Sequence, residues 1–371
     1  MARVAASHSG DGLSELEARQ DPRLLRALDM VAPGTPLREG IDNIIHARTG
    51  GLILIAEADE VSFLFSGGIK LDVDYTPALL YQVAKMDGAI VLDPSSRKIS
   101  WANVQLMPDP TILSMETGTR HRTAERVSKQ AKALVVAISQ RRDVVSLYVE
   151  GIKYILEEIP TVLSKANQGL ATLEKYRDRL DQVAARLSGR ELTGIAVLYD
   201  ALTVIQRAEL VSRMAAEVER YIIELGAEGR LIEMQLEETV VGVMAERAAA
   251  VRDYGVVDSE PAIEQALSEL ASLGHQELLD FGRLAELLGY DRKTNTLDFP
   301  VSPRGYRALT RVPRLPRLVA QKVVHRFGDL ASILAASDDE LEAVDGVGEM
   351  HAKEIREGLR RLEVDEVDRY R

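Results

Sequence analysis

With 371 residues the chain is long enough to bury more than one core, and its net charge of -12 excludes a surface coated throughout in nucleic acid, because phosphate binding needs local positive potential. It contains no cysteine, which excludes disulfides and thiolate metal sites and fits a reducing, cytoplasmic setting; its six histidines form no HExxH-like zinc pair. A protein free of the membrane is expected, since the N-terminus lacks the apolar core of a signal peptide and no apolar run approaches the roughly 20 residues of a membrane span.

The first stretch, to about residue 20, is small and polar with no clear period. Leu24, Leu25, Leu28 and Val31 predict a short helix opened by Pro22 and ended near Pro33-Gly34, and a second helix runs from Leu37 to Ala47. Continuous apolar runs of strand length follow at Leu52–Ala56 and Val61–Phe65, with Ala58-Asp59-Glu60 as the turn between them. Gly67 and Gly68 read as a loop of positive φ, with close approach of a ligand as the other option. Thr76-Pro77 opens a helix through Lys85, which delivers the chain to Asp87. Ala89–Leu92 and Lys98–Leu106 read as strands joined by the Asp93-Pro94-Ser95-Ser96 turn, and a helix from Thr119–Arg122 to Lys132 precedes strands Leu134–Ile138 and Val144–Val149. Strands and helices interleave, which predicts a mixed sheet flanked by helices.

Beyond Pro160 the period is helical and strand signal nearly vanishes. Leu192, Ile195, Leu198, Leu202, Ile205, Leu210, Met214, Val218 and Ile222 step along one predicted long amphipathic helix that ends at Gly226 and Gly229. A second long helix to about Tyr254 and shorter ones from Pro261 and Gln276 follow. The segment reads as a spine whose apolar faces pack on each other. From Val301 to Gly328 no acidic residue occurs while Arg304, Arg307, Arg311, Arg314, Arg317, Lys322 and Arg326 accumulate, a basic patch in an acidic chain.

The chemistry concentrates between Asp87 and Arg142. A carboxylate beside glycine at a strand edge, Asp87-Gly88, followed by Thr119-Arg120-His121-Arg122-Thr123 where a helix begins, suits a metal-bound polyphosphate. On the residues alone, Asp87 is either a metal ligand or a turn cap, and the Arg-His-Arg run either meets phosphate or faces solvent. Arg141 and Arg142 stand equally between a neighbouring nucleotide and solvent.

The phrases DGAIVLD, ANVQL and ETGTRHRTAERVSKQ, in this order, resemble the diadenylate cyclase domain, and the whole chain is similar to the bacterial family of DNA integrity scanning diadenylate cyclases. The resemblance implies condensation of two ATP molecules into cyclic di-AMP with release of pyrophosphate. It makes Asp87 the catalytic metal-binding aspartate for Mg²⁺ or Mn²⁺. Gly88, Thr119, Arg120, His121, Arg122 and Thr123 become nucleotide contacts, as do Ser139 at a strand end and the backbone of Leu106 against adenine. Val344-Asp345-Gly346-Val347-Gly348-Glu349 resembles a helix-hairpin-helix turn, whose backbone N–H groups meet DNA phosphate; Gly346, Gly348, Lys353, Arg314 and Arg317 are the candidate DNA contacts. Val312-Pro313-Arg314-Leu315-Pro316 sits where a first hairpin of a tandem pair would lie, yet it has no glycine.

The expected architecture is therefore an α/β cyclase domain of mixed sheet over residues 1–155, an all-α helical spine over 156–300, and a helix-hairpin-helix domain over 301–371. Cyclic di-AMP is twofold symmetric, so one site per chain requires two chains face to face; the family further implies an octamer and recognition of branched DNA. The alternative is a scaffold that binds DNA structures and senses ATP or cyclic di-AMP without making it.

Overall fold

The computed structural model describes residues 21–140, 144–257, 259–291 and 296–369. The opening polar stretch and the Arg141-Arg142 pair lie outside the described residues. The chain divides into two compact units, one comprising the residues to Gln168 with Glu217–Met234, the other Gly169–Ala216 with Gln235 onward.

The first unit is built on an eight-stranded mixed sheet: β1 Gly51–Ile55, β2 Phe65–Ser66, β3 Ile69–Asp74, β4 Ala89–Asp93, β5 Lys98–Leu106, β6 Leu134–Ile138, β7 Val145–Val149 and β8 Ile152–Ile155. The order is β2-β5-β4-β1-β6-β7-β8, with β3 also against β5. β1 and β4 run parallel, whereas β1 pairs antiparallel with β6. All five residues of β1 are buried, and its side chains alternate between two cores. Ile53 and Ile55 join Leu24, Ile41 and Leu80 of the helices Pro22–Met30, Pro36–His46 and Pro77–Val83. Leu52 and Leu54 join Val104, Val127 and Tyr148 beneath helix Thr119–Ala131. A strand covered on both faces must be apolar throughout. At about 1.5–3 kcal/mol for each fully buried aliphatic side chain, this run outweighs any cap or turn preference nearby.

Three local expectations give way. Val61–Phe65 is not a strand: Ala58–Val61 is helical, Ser62–Leu64 is a 3₁₀ turn, and only Phe65 enters β2. Val61 and Leu64 are buried while Phe63 is 62% exposed, so burial follows a three-residue step rather than a two-residue one. Strands β3 and β8 join the sheet beyond those expected. β3 is an exposed edge strand of irregular register, and β8 returns from β7 through Glu150-Gly151, both in the left-handed region. The glycine pair has positive φ at both positions, +66° at Gly67 and +105° at Gly68, as a loop requires.

The helical segment comprises Ile159–Leu192, Leu198–Leu225, Arg230–Val240, Val243–Tyr254, Glu260–Ser272, His275–Leu279 and Phe281–Leu287. The single helix expected through residues 192–222 is broken at Gly194, φ +69°, and Ile195 is 65% exposed rather than on a core stripe. Likewise Gly242, φ +78°, splits the helix expected to reach Tyr254. Apolar spacing survives a one-turn break when the following helix packs on the same side, so periodicity alone passes over both interruptions. No helix among the described residues is long and apolar enough to cross a membrane.

The chain ends in helices Tyr306–Thr310, Arg317–Phe327, Leu330–Ala335, Asp338–Glu342 and Glu349–Arg369. Two helix-turn-helix pairs correspond residue by residue at a constant offset: Leu309 with Leu341, Val312 with Val344, Ala320 with Ala352, Val323 with Ile355, all buried. Both turns carry the same backbone bonds, Leu315 N to Val312 O and Val347 N to Val344 O. Where Gly346 has φ +85°, Arg314 takes φ +61°.

The basic block is largely consumed within the second unit. Arg307, 1% exposed, pairs with Glu191 and, at 2.7 Å, with Glu246. Arg311 donates to Ser188 Oγ at 2.7 Å, Arg304 to the carbonyl of Arg252 at 2.7 Å, and Lys322 pairs with Asp345 at 2.5 Å. Asp253 accepts from the N–H groups of Gly305, Tyr306 and Arg307, seating the start of helix Tyr306–Thr310; burial, then the charge of Glu191, push its carboxyl up to about 7.

Candidate active site

The strand pairings draw distant parts of the chain to one end of the sheet. β1 begins at Gly51 opposite the last residue of β6, Ile138, and the parallel register Ile53 to Ile90 brings the Asp87-Gly88 entry to β4 alongside. β5 runs antiparallel to β4 with Ala89 opposite Val104, so Leu106, buried at the end of β5, arrives at the same end. Ser139, directly after β6, arrives there too. Helix Thr119–Ala131 is tied in by Arg120, whose Nη1 donates to Ile138 O at 3.2 Å. A Cβ on Gly50 would fall 1.9 Å from that same nitrogen, so glycine there makes room for the guanidinium.

Gly88 has its own requirement. Its φ is +95°, and a Cβ would stand 2.9 Å from both Asn103 C and Val104 O of β5. The residue after Asp87 is therefore glycine because of the neighbouring strand, whatever room it also leaves for a ligand. Asp87 is exposed, and its carboxylate has no hydrogen bond or ion pair among the described residues. No group of three or more metal-ligating side chains occurs among the described residues. A single carboxylate fits a small divalent cation completed by water and substrate phosphate, not an all-protein cage.

Helix Thr119–Ala131 starts at Gly118 with no capping side chain and no acidic residue in its first turn. Its N–H groups and dipole thus remain available to an anion. Thr119, Arg120 and Arg122 are exposed and His121 and Thr123 half-buried. The preceding loop is fastened to this helix: Glu125 accepts from Ser114 Oγ and Met115 N, Arg126 donates to Ile112 O, and Arg122 to the carbonyls of Glu116 and Thr117.

Three residues to which the sequence reading assigns no role complete the arrangement. Tyr148 Oη lies 3.0 Å from His121 Nδ1 and donates to Glu116 Oε1 at 2.8 Å, and Lys153 Nζ pairs with the same oxygen at 2.5 Å. Burial pushes Glu116 up, but the bonds from Lys153 and Tyr148 more than offset it and hold the carboxyl below its ordinary range. Burial and then the Glu116 bond raise the Tyr148 phenol. Tyr148 sits in an apolar strand run, and only the fold discloses its hydroxyl's partners.

Of the candidate DNA contacts, Arg314, Arg317, Gly346, Gly348 and Lys353 are exposed on the paired turns, with Lys353 bonded to Glu349 at 2.6 Å.

Two family models match the chain: the nucleotide-binding region of the DisA bacterial checkpoint controller over residues 38–153, and its linker region over 156–297. The DNA integrity scanning protein DisA of Carboxydothermus hydrogenoformans is 49% identical over 92% of this chain and 97% of its own. That of Streptomyces coelicolor is 46% identical over 95% of each. A solved structure of DacA from Staphylococcus aureus aligns to 36% of this chain and 88% of its own at 23% identity, with a TM-score of 0.29. Covered nearly end to end by such relatives, and matched by the nucleotide-binding model where its strand ends converge, the chain belongs to the DNA integrity scanning protein DisA family and is a diadenylate cyclase.

Proposed function

We propose that each chain holds one ATP at the sheet end where Asp87, Leu106, Arg120 and Ser139 converge, and that this convergence carries the assignment of the site. The triphosphate lies at the uncapped start of helix Thr119–Ala131, met by Thr119, Arg120, His121, Arg122 and Thr123 and by Ser139, while the backbone of Leu106 borders adenine and Gly88 lets the chain pass beneath. Asp87 is the residue that would hold Mg²⁺ or Mn²⁺. When bound, the cation neutralises charge on the phosphoryl oxygens and acidifies the attacking 3'-hydroxyl. The residues themselves supply placement: in-line transfer needs the α-phosphorus held still, which fixed N–H groups and guanidinium forks do.

Each hydroxyl must attack the phosphorus of the other nucleotide, so two such domains face each other. The pinned loop before helix Thr119–Ala131 supports this reading: Leu113 is 85% and Met115 89% exposed although the backbone around them is fastened. Apolar side chains held out on an ordered loop suit a partner surface. The pairs assemble further into an octamer, as the family resemblance implies. The chain acts in the cytoplasm, where ATP is available.

For the C-terminal region we propose a tandem helix-hairpin-helix that grips DNA phosphates, with division of labour between residues 1–155, 156–300 and 301–371. The paired turns at Arg314 and Gly346 support it, with Arg317 and Lys353 beside them and backbone donors from the Gly346-Val347-Gly348 turn. Such contacts read phosphate spacing rather than bases, which suits branched DNA, and occupancy lowers cyclase output.

Incubating the full chain with ATP and Mg²⁺ or Mn²⁺, beside Asp87→Asn, tests the site. Cyclic di-AMP is expected from the native chain, and Asp87→Asn is expected to lose at least about a hundredfold in turnover while still binding ATP. An Asp87→Asn variant of native turnover would remove Asp87 from the chemistry.

A further inference from the structure

Between helix Thr119–Ala131 and strands β7 and β8 runs a chain of polar groups that the nucleotide site as described does not use. Tyr148 is fully buried on the face of β7 that packs beneath the helix, among Leu54, Val104 and Val127. A phenol there is costly unless its hydroxyl both donates and accepts. It gives its proton to Glu116, which the Lys153 ammonium keeps ionised, so what reaches its oxygen must come from a donor. His121 Nδ1, 3.0 Å away, must therefore carry its proton, beside the Ser146 side chain that also bonds the phenol.

We propose that Tyr148 and Glu116, braced by Lys153, are positioning residues for His121. They fix its ring with Nδ1 turned toward β7, make Nε2 the nitrogen that gains or loses the proton, and hold the ring as an imidazolium donor toward the triphosphate. The proposal rests on the nucleotide site given above. It adds what holds the histidine's tautomer and charge: a hydrogen bond to one ring nitrogen decides which tautomer exists, and a neighbouring carboxylate favours the charged form. The sequence places these groups far apart, on a loop, a helix and two strands; the antiparallel register of β7 and β8, with Tyr148 opposite Lys153, brings the hydroxyl and ammonium to one carboxylate.

Among the described residues, Tyr148 of β7 bonds the ring, Glu116 of the loop acts on it through its charge, and Lys153 of β8 pairs with that carboxylate. On the ring's own helix, Arg120 and Arg122 flank His121 in sequence and Glu125, paired with Lys129, follows one turn on. Substitutions at Glu116 and Lys153 therefore act on the ring with opposite signs. Losing the carboxylate while Lys153 stays lowers the imidazolium's pKa. Losing the ammonium exposes the carboxylate's charge and raises it.

The test is the pH profile of cyclic di-AMP formation by the full chain with ATP and Mg²⁺, for the native protein and for Glu116→Gln, Lys153→Met, Tyr148→Phe and His121→Gln. The expected result is an alkaline limb that moves down by about one pH unit in Glu116→Gln and up in Lys153→Met. Tyr148→Phe raises KM for ATP about tenfold with a smaller change in kcat. Histidine ¹⁵N resonances should report Nδ1 as protonated in the native chain and a tautomer mixture in Tyr148→Phe. An alkaline limb unmoved in both charge variants, or moved in the same direction by both, overturns the proposal. If His121→Gln is impaired while the other three match the native chain, only this inference falls; if His121→Gln itself matches the native chain, the nucleotide-site role of His121 falls with it. Should Tyr148→Phe melt too early to assay, Glu116 and Lys153, which reach solvent, decide the matter alone.

Discussion

Arg307 has almost no contact with solvent, yet carries a full charge, which its two carboxylate partners Glu191 and Glu246 balance. Burial lowers its pKa, but the surrounding carboxylates more than reverse this, so the guanidinium stays charged at every working pH. Tyr254 donates to Glu191 at 2.5 Å and Ser188 lies beside the guanidinium, so the cluster is satisfied on several sides. Removing one member leaves a buried charge unmatched. Arg307→Met should cost about 3–5 kcal/mol, read as a drop in the urea midpoint followed by circular dichroism. The exposed Arg361, paired with Glu357 of its own helix, should cost less than about 0.5 kcal/mol when changed to Ala. Equal losses from the two substitutions would show that the cluster is not what holds this part of the unit.

The paired turns separate backbone demand from charge. Gly346 has φ +85° and ordinary space around a would-be Cβ, the nearest atom being Lys322 Nζ at 3.7 Å. Gly346→Ala should therefore cost only the left-handed strain, about 1 kcal/mol, yet weaken DNA binding by shifting the N–H donors of the turn. Arg314 already bears that strain at φ +61°. Arg314→Gly relieves it while freeing the unfolded chain, so stability should stay within about 0.5 kcal/mol of native. Its DNA affinity should fall with a salt slope shallower by about 1 if the guanidinium meets a phosphate. Fluorescence anisotropy with junction and duplex DNA over a salt series measures this; an unchanged slope removes Arg314 from the interface.

For the whole molecule, the twofold symmetry of the product makes assembly part of the chemistry. Leu113 and Met115 offer exposed apolar surface on the loop before helix Thr119–Ala131, beside the proposed nucleotide site. The double substitution Leu113→Glu, Met115→Glu sets like charges against one another across any face-to-face pairing. Sedimentation should then report smaller species, and cyclic di-AMP formation should drop steeply while ATP binding persists, since each site keeps its own residues. Native mass together with native turnover would show that the chains meet through another surface.

Much of the fold is legible in the sequence. The core strands at Leu52, Ala89 and Leu134 are apolar because they are covered on both faces, and a continuous apolar run of that length has few alternatives. Helices opened by Pro22, Pro36 and Pro77 carry their start signals within a few residues. The phrases around Asp87 and Thr119–Thr123 named candidate residues, because backbone conformation and residue chemistry are local properties. What lay beyond the sequence depends on partners remote along the chain. The pairing of β1 with β4 and β6 decides that Asp87, Leu106 and Ser139 share one sheet end; the register of β7 with β8 decides that Tyr148 and Lys153 reach Glu116. Most plainly, Arg307 and Arg314 look alike in a basic run, and only tertiary packing makes one a buried counter-ion and leaves the other in solvent, because the energy of a charge is set by what surrounds it.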